Sequence, residues 1–206
     1  MIKNCYIIAA GDYNYEAIDK KDEDIVIAVD EGFSYCKEYN IIPDIIVGDY
    51  DSLGYVPKGK EVIILNPVKN DTDTEAAINI AIERGCNKFY IYGALGGDRF
   101  AHSIANIQLL TYLAHKGLEG YIVSNNEICT VINKSISFNK DYKGYISIFS
   151  LSSECIGVNE IGLKYELNDY TLKNDTTLGI SNEFIGKEAK IDLKSGDLLV
   201  IFKKKY

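Results

Sequence analysis

Two pairs of aspartates, each pair separated by one residue, are the most chemically suggestive feature of this 206-residue sequence. Asp49 and Asp51 follow a short β-branched run, whereas Asp71 and Asp73 precede a segment of helical periodicity. Alternate side chains of extended backbone point to the same side, so we expect Asp49 and Asp51 to point together and Tyr50 to point away. Neighbouring carboxylates repel unless a cation neutralises them, and Mg2+ prefers hard oxygen ligands. A Mg2+ site with four ligands, Asp49, Asp51, Asp71 and Asp73, is therefore one hypothesis for these two pairs.

Each aspartate pair also has an ordinary structural interpretation. Gly48 permits a sharp turn, and Gly and Asp dominate turns, so the first pair could belong to a solvated loop. Asp73 could be the N-cap of the helix that follows it. Taken singly, each pair is explained by these roles. The metal hypothesis therefore depends on whether the two pairs meet at one place.

A glycine-rich loop containing Gly96 and Gly97 is a candidate phosphate site. Glycines let backbone N–H groups approach a phosphate, and the N-terminus of the helix that follows adds favourable partial charge. Arg99, one of only two arginines, offers a fork of donors, although it could instead pair with Asp98. For His102, a phosphate contact and a helix cap are equally open. The loop is neither a Walker A motif nor a GxGxxG motif, so alone it is weak evidence.

The elements that must position these residues follow from hydrophobic periodicity. We expect strands over residues 5–10, 25–29, 45–47, 61–65, 89–92 and 121–123, and helices over 33–39, 74–84 and 102–115. In the last helix, Ile104 and Ile107 share the apolar face. Alternation of strands and helices predicts an α/β N-terminal domain with a mainly parallel sheet. Ligands bind beyond the carboxyl ends of such strands, so Asp30, both aspartate pairs and the glycine loop are predicted to meet at one edge.

The pattern changes after about residue 125. Short β-rich runs occupy residues 128–132, 145–149, 164–167, 191–193 and 198–202, with turn residues between them and no helical period. This pattern predicts an all-β C-terminal sandwich or barrel domain. We therefore expect two domains, 1–125 and 126–206.

Composition excludes some classes of protein. The net charge of −8, from 22 basic and 30 acidic residues, argues against nucleic-acid binding, although a metal could still bridge acidic groups to a phosphorylated ligand. The five cysteines are scattered without a CxxC pair, which is typical of core residues in a reducing cytosol. The first apolar run is too short to span a membrane. We expect a cytoplasmic protein without a membrane partner.

The sequence resembles the thiamine pyrophosphokinase family along nearly its whole length, with the motifs in family order. Four N-terminal motifs and two C-terminal segments carry this resemblance: Asp30-x-Gly32; Pro43-Asp44-Ile45-Ile46-Val47-Gly48-Asp49-Tyr50-Asp51-Ser52; Lys69-Asn70-Asp71-Thr72-Asp73-x-Glu75-x-Ala77; Gly93-x-x-Gly96-Gly97-x-Arg99-x-x-His102-x-x-Ala105-Asn106; Gly162-Leu163-Lys164-Tyr165; and Gly179-Ile180-Ser181-Asn182-Glu183.

The resemblance implies transfer of pyrophosphate from ATP to the thiamine hydroxyl with Mg2+, giving thiamine diphosphate and AMP. It implies a homodimer in which 1–125 binds ATP and Mg2+ while 126–206, a β-sandwich, contributes to thiamine binding and dimerisation. Thiamine is expected in a cleft between subunits, near Ser181 and Asn182. Asp71 or Asp73 would accept the hydroxyl proton. The expected substrate-binding residues are Asp30, Gly96, Gly97, Arg99, His102, Asn106, Ser181 and Asn182.

Two departures from the family pattern keep alternatives open. The family usually has Gly-Gly-Arg-x-Asp-His, but here Asp98 intervenes before Arg99, and Ala101 stands where an aspartate is usual. The sequence also has no tryptophan, so any stacking on thiamine must come from tyrosine or phenylalanine. Another Mg2+-dependent kinase would produce ADP rather than AMP, a binding protein would show no turnover, and a structural module would not respond to Mg2+ or ATP.

Overall fold

The computed structural model describes residues 2–14, 18, 20–50, 54–66, 68, 71–97 and 100–203. The chain forms two compact units. The first comprises Met1–Leu109 and Leu118–Asn125, and the second comprises Leu110–Gly117 and Asn126–Tyr206. Residues 110–117, which include the end of a helix, thus group with the second unit. Among the helices of the described residues, none is both long enough and apolar enough to cross a membrane.

The first unit is a parallel sheet with helices in its connections, as predicted. Its elements are β1 (Asn4–Ile8), β2 (Ile25–Val29), α1 (Gly32–Glu38), β3 (Ile45–Gly48), β4 (Val62–Ile64), α2 (Asp73–Glu83), β5 (Lys88–Tyr92), α3 (Phe100–His115) and β6 (Glu119–Val123). The strand order is β6-β5-β1-β2-β3-β4, and every adjacent pair is parallel. The chain builds outward from β1 to β4 and then returns to the other side of β1. This reversal creates a crevice beyond β1 and β5, where ligands bind in such sheets.

Unbroken β-branched runs form the central strands because both faces of this sheet are buried. Fully buried side chains include Ile7, Ile27, Ile46 and Ile91. The expected apolar face of α3 is partly wrong, because Ile104 is 45% exposed. Ser103 and Asn106 are buried in its place, since their side chains bond to the glycine loop.

The second unit is a β-sandwich, which confirms the predicted class. Its strands are β7 (Glu127–Ile132), β8 (Ser135–Phe138), β9 (Tyr145–Ser150), β10 (Glu154–Ile161), β11 (Leu167–Lys173), β12 (Asn182–Glu183), β13 (Ala189–Asp192) and β14 (Leu198–Lys203). They form two antiparallel arrays, in the orders β12-β9-β14-β7 and β11-β10-β13-β8. Apolar side chains from both arrays share one core, in which Phe138 contacts Phe184 and Phe202.

The strand expected over residues 164–167 is wrong. Residues 164–166 connect β10 to β11, and only Leu167 belongs to a strand. β10 and β11 themselves were not predicted. Most side chains of β11 are exposed, so its sequence lacks the apolar alternation of a half-buried strand. The strand forms because its backbone pairs with β10, an interaction that sequence periodicity does not report.

Candidate active site

Three carboxylates from different parts of the chain meet at the carboxyl edge of the parallel sheet. Asp30 follows β2, Asp49 follows β3, and Asp73 is the first residue of α2. Each offers an oxygen atom that lies within 4.8 Å of the oxygens of the other two. We call these residues the acidic group. Two of them, Asp49 and Asp73, come from the two aspartate pairs, whereas Asp30 was expected to contact substrate rather than metal.

The acidic group has the chemistry of a divalent cation site. Asp30 Oδ1 is buried and has no hydrogen-bond partner in the described part of the chain. Burial raises the pKa of Asp30 to about 7, and the hydrogen bond and charge of Asp73 act in the same direction, as does the charge of Asp49. Carboxylate oxygens are the ligands that Mg2+ prefers, and a cation held by the acidic group would remove the repulsion among them.

Gly48 is required here for space and not for a turn. It is the last residue of β3, and a Cβ atom added to it would lie 1.8 Å from Asp30 Oδ1. A hydrogen atom at this position lets the Asp30 carboxyl group approach the backbone of β3. The Gly48 that follows the β-branched run thus determines where Asp30 points.

Tyr50 does not continue the strand, so the expectation of extended backbone through the first aspartate pair is wrong at this residue. Its φ of 61° is left-handed, and its side chain is buried. The hydroxyl lies 3.0 Å from Ile46 O and 3.2 Å from Ile63 O, on the neighbouring strands β3 and β4. The backbone N–H of Tyr50 donates to the Asp30 carboxyl group. Asp51 lies outside the described residues.

The two members of the second aspartate pair, Asp71 and Asp73, lie in different environments. Thr72 is the N-cap of α2, and its Oγ1 accepts a hydrogen bond from Glu75 N at 3.2 Å, so the cap role considered for Asp73 is wrong. Asp73 instead hydrogen bonds to Asp30. Asp71 is exposed and lies outside the acidic group.

The glycine loop, residues 93–97, is fixed by three side chains. Ser103 Oγ accepts from Gly96 N at 3.2 Å, and Asn106 Nδ2 donates to Ala94 O at 2.7 Å. Asp12 Oδ2 accepts from Gly97 N at 2.9 Å. These contacts hold the loop in a conformation in which Gly96 and Gly97 have left-handed φ values of 78° and 71°.

The acidic group and the glycine loop line the same cavity, of about 410 Å3. His102 also lines it, at the first turn of α3. Arg99 and Asp98 lie outside the described residues. The structure therefore brings these predicted site residues together in one cavity: Asp30, Asp49, Asp73, Gly96, Gly97, His102 and Asn106.

Sequence reasoning missed Asp12 and Ser103. Asp12 follows Gly11 at the end of β1, beside the point where the strand order reverses. The Gly11 N–H donates to Gly93 O at 2.6 Å, which brings this segment against the glycine loop. The order of the strands, had it been known, would have identified Asp12 as a candidate, because ligands bind where the strand order reverses.

Ser181 and Asn182 lie in the second unit and differ in exposure. Ser181 is exposed, with a left-handed φ of 59°, and its N–H donates to Ser147 Oγ at 2.9 Å. Asn182 is buried, and its amide bonds to other parts of the chain. Of the two, Ser181 presents its side chain to solvent.

Comparison with known proteins gives a consistent result over both units. Residues 19–122 match the family model described as thiamin pyrophosphokinase, catalytic domain, and residues 133–198 match the one described as thiamin pyrophosphokinase, vitamin B1 binding domain. The thiamine pyrophosphokinase of Bacillus subtilis is 29% identical over 215 residues, covering 97% of this chain and 98% of that protein.

Solved structures agree with these matches. The crystal structure of thiamine pyrophosphokinase from Bacillus subtilis superposes with a TM-score of 0.85 at 26% identity, covering 98% of this chain and 100% of that one. A thiamin pyrophosphokinase family protein from Enterococcus faecalis gives a TM-score of 0.83 at 24% identity, covering 99% and 100% of the two chains. The second similarity concerns the fold alone.

Proposed function

This chain belongs to the thiamin pyrophosphokinase family, and we propose that it transfers the pyrophosphoryl group of ATP to the hydroxyl of thiamine, giving thiamine diphosphate and AMP. The observation that carries this proposal is the cavity in which the acidic group faces the glycine loop. The proposal assigns metal binding to the acidic group and phosphate binding to the glycine loop. The match to both domains of the family, in order, supplies the identity of the substrates.

In the proposed reaction, the thiamine hydroxyl oxygen attacks the β-phosphorus of ATP, and the bond from that phosphorus to the oxygen of AMP breaks. Asp30, Asp49 and Asp73 would hold Mg2+, with Asp51 and Asp71 as further candidates. Bound Mg2+ neutralises phosphate charge and helps to orient the reacting groups. The protein otherwise acts by positioning, which accounts for much of catalysis in phosphoryl transfer.

The remaining side chains have complementary roles in this proposal. Gly96 and Gly97, whose N–H groups bond to Ser103 and Asp12, would leave room for the phosphates to approach the loop backbone, while Arg99 and His102 would supply positive charge or hydrogen bonds. Asn106 supports the loop from α3, as its bond to Ala94 O indicates. Asp73 or Asp71 would accept the proton of the hydroxyl.

The proposal extends to thiamine binding and assembly by 126–206. Exposed apolar side chains surround the short edge strand β12 in the second unit: Tyr145, Tyr165, Leu178, Ile180 and Ile185. Such a patch on a surface edge is typical of an interface. We propose that it serves a homodimer and that thiamine binds near Ser181. All five cysteines are free and buried, which supports a cytoplasmic location.

The test is incubation of the protein with ATP, Mg2+ and thiamine, followed by separation of the nucleotide and thiamine products. AMP and thiamine diphosphate in equal amounts are expected. ADP with thiamine monophosphate would identify a kinase that transfers only the γ-phosphate. Binding of thiamine without turnover would identify a binding protein, and either result would contradict the proposal.

A further inference from the structure

A buried carboxyl group in the second unit has no part in the proposed chemistry. Glu160, on β10, is only 2% exposed. It lies opposite Leu167 of β11 and Ile191 of β13, so apolar residues flank it on both neighbouring strands. Burial of an ionisable group costs free energy unless a partner compensates for it. A buried glutamate therefore requires a structural or functional reason.

The hydrogen-bond partner of Glu160 is Asn182. Asn182 Nδ2 donates to Glu160 Oε1 at 3.1 Å and to Tyr165 O at 2.7 Å. Asn182 Oδ1 accepts from Tyr165 N at 3.0 Å and from Glu183 N at 2.8 Å. One side-chain amide thus joins β10, the connection after β10, and β12.

The acceptor at Glu160 helps to fix which way this amide faces. Glu160 Oε1 accepts a hydrogen bond from the NH2 group of Asn182, and it can do so whether or not the other carboxyl oxygen carries a proton. With the amide reversed, Asn182 Oδ1 would face both Glu160 and Tyr165 O, and the N–H groups of Tyr165 and Glu183 would lose their acceptor. Glu160 supplies the fourth hydrogen bond of this orientation and is the one side chain among the partners of Asn182 that these bonds involve.

The two segments that Asn182 joins carry exposed side chains. Tyr165 is 63% exposed in the first segment, residues 162–166, and Ser181 is exposed in the second, residues 179–183. Both segments lie inside the part of the chain that matches a vitamin B1 binding domain. The surface that they form depends on a bond network whose innermost member is Glu160.

We propose that Glu160 is a positioning residue for thiamine binding, which acts through Asn182 to hold residues 162–166 and 179–183 in the arrangement that receives the vitamin. This inference rests on the proposed function. Glu160 does not touch the reacting atoms, and its effect falls on thiamine affinity and not on the chemical step.

The test compares Glu160→Met and Glu160→Gln by steady-state kinetics. Glu160→Met keeps the volume of the side chain but removes the acceptor, and we expect the KM for thiamine to rise about tenfold, equivalent to one hydrogen bond, while kcat and the KM for ATP stay within about twofold. Glu160→Gln retains a carbonyl acceptor for Asn182, so its thiamine KM is expected to return to within about threefold of wild type.

Ser150→Ala is the matched control. Ser150 is a buried polar residue of the same unit whose hydroxyl donates to Ser152 O, away from Asn182. Its loss is expected to lower the melting temperature without raising the thiamine KM. Asn182→Ala interrupts the same link from the other side and is expected to raise the thiamine KM. It replaces Glu160→Met if that variant does not fold.

Several results would overturn the inference. They are an unchanged thiamine KM in folded Glu160→Met, an equal rise in the ATP KM, no rescue by Glu160→Gln, and an Asn182→Ala variant with wild-type thiamine KM. If the wild type makes no thiamine diphosphate, the proposed function fails. The inference is then tested by measuring the thiamine affinity of the same variants by calorimetry. A wild type that does not bind thiamine would overturn both.

Discussion

Three carboxylates whose oxygens lie within 4.8 Å of one another repel, and the burial of Asp30 adds a larger cost to its negative charge. Asp30 lowers the repulsion by retaining a proton, because its pKa is raised to about 7. A divalent cation would remove the need for that proton. Binding of Mg2+ should therefore release protons and stabilise the fold, as ligand linkage requires.

Asp49→Asn tests this directly. Without metal, the variant has less repulsion, so its free energy of unfolding should rise by on the order of 1 kcal/mol and it should melt at a higher temperature. With Mg2+ it should gain less stability than the wild type, because a ligand is lost. Thermal melts with and without Mg2+ measure both effects.

Asp175→Asn, an exposed carboxylate of the second unit, is the control and should retain the full Mg2+ response. Asp71→Asn decides whether that exposed residue belongs to the ligand set. A wild-type response to Mg2+ in Asp49→Asn would contradict the metal assignment.

Gly48→Ala tests the close approach of Asp30 to β3. The added methyl group would occupy the position of Asp30 Oδ1, so we expect the carboxyl group to be displaced and the Mg2+ response to be lost. A loss of stability of about 1–3 kcal/mol is expected from overpacking. Gly59→Ala is the matched control, because its added methyl would meet the apolar side chains of Ile46 and Val62 and no carboxyl group. Equal loss of the Mg2+ response in both variants would argue against the role of Gly48.

At the scale of elements, β10 places Glu160 in a largely apolar environment, and burial raises the pKa of this glutamate to about 7 from an ordinary value of 4.5. The folded state therefore holds a proton that the unfolded state releases near pH 4.5. The stabilisation is complete below that pH and is lost as pH rises through about 7. We expect the free energy of unfolding to fall by up to about 3 kcal/mol over this interval.

Urea denaturation between pH 4 and 8 measures this dependence, and Glu160→Gln provides the comparison, since glutamine does not titrate. The difference in stability between wild type and variant should change across the interval in the stated direction. A difference that is constant with pH would show that Glu160 keeps an ordinary pKa in the folded protein.

The elements that could be predicted from the sequence are those whose own hydrophobic pattern indicates which of their residues are buried. β2 was predicted with its observed bounds because Ile25 to Val29 is an apolar β-branched run, and α2 was predicted from its 3.6-residue period. β11 was missed because it depends on pairing with β10, which is a non-local property. The buried face of α3 was misassigned because Ser103 and Asn106 are buried by hydrogen bonds to a loop.

The same distinction applies to the site. Asp49, Asp73 and the glycines follow or precede recognisable elements, so one rule about strand ends brought them together. The inclusion of Asp30 in the acidic group and the contact of Asp12 with Gly97 depend on distances between separate strands. Sequence patterns do not contain such distances. Nor do they report the left-handed backbone of Tyr50.

At the scale of the whole molecule, the proposed homodimer depends on the exposed apolar patch around β12. Ile180→Asp would place a charge within this patch, and we expect it to convert a dimer to a monomer without loss of the folded structure. Light scattering gives the mass, and circular dichroism confirms the fold. Lys143→Asp, another change from an exposed residue to aspartate in the same unit, is the control and should leave the mass unchanged. A monomeric wild type would contradict the proposal.

Tyr50 has a further consequence for how the cation site responds to motion. Its hydroxyl bonds to β3 and to the three-residue edge strand β4, while its N–H bonds to Asp30. Transient opening of a short edge strand occurs at low free-energy cost and is detected by amide hydrogen exchange. When β4 separates, Tyr50 loses a contact that fixes it next to Asp49. Metal occupancy should therefore slow exchange at the amides of β4, although no residue of that strand is in the acidic group.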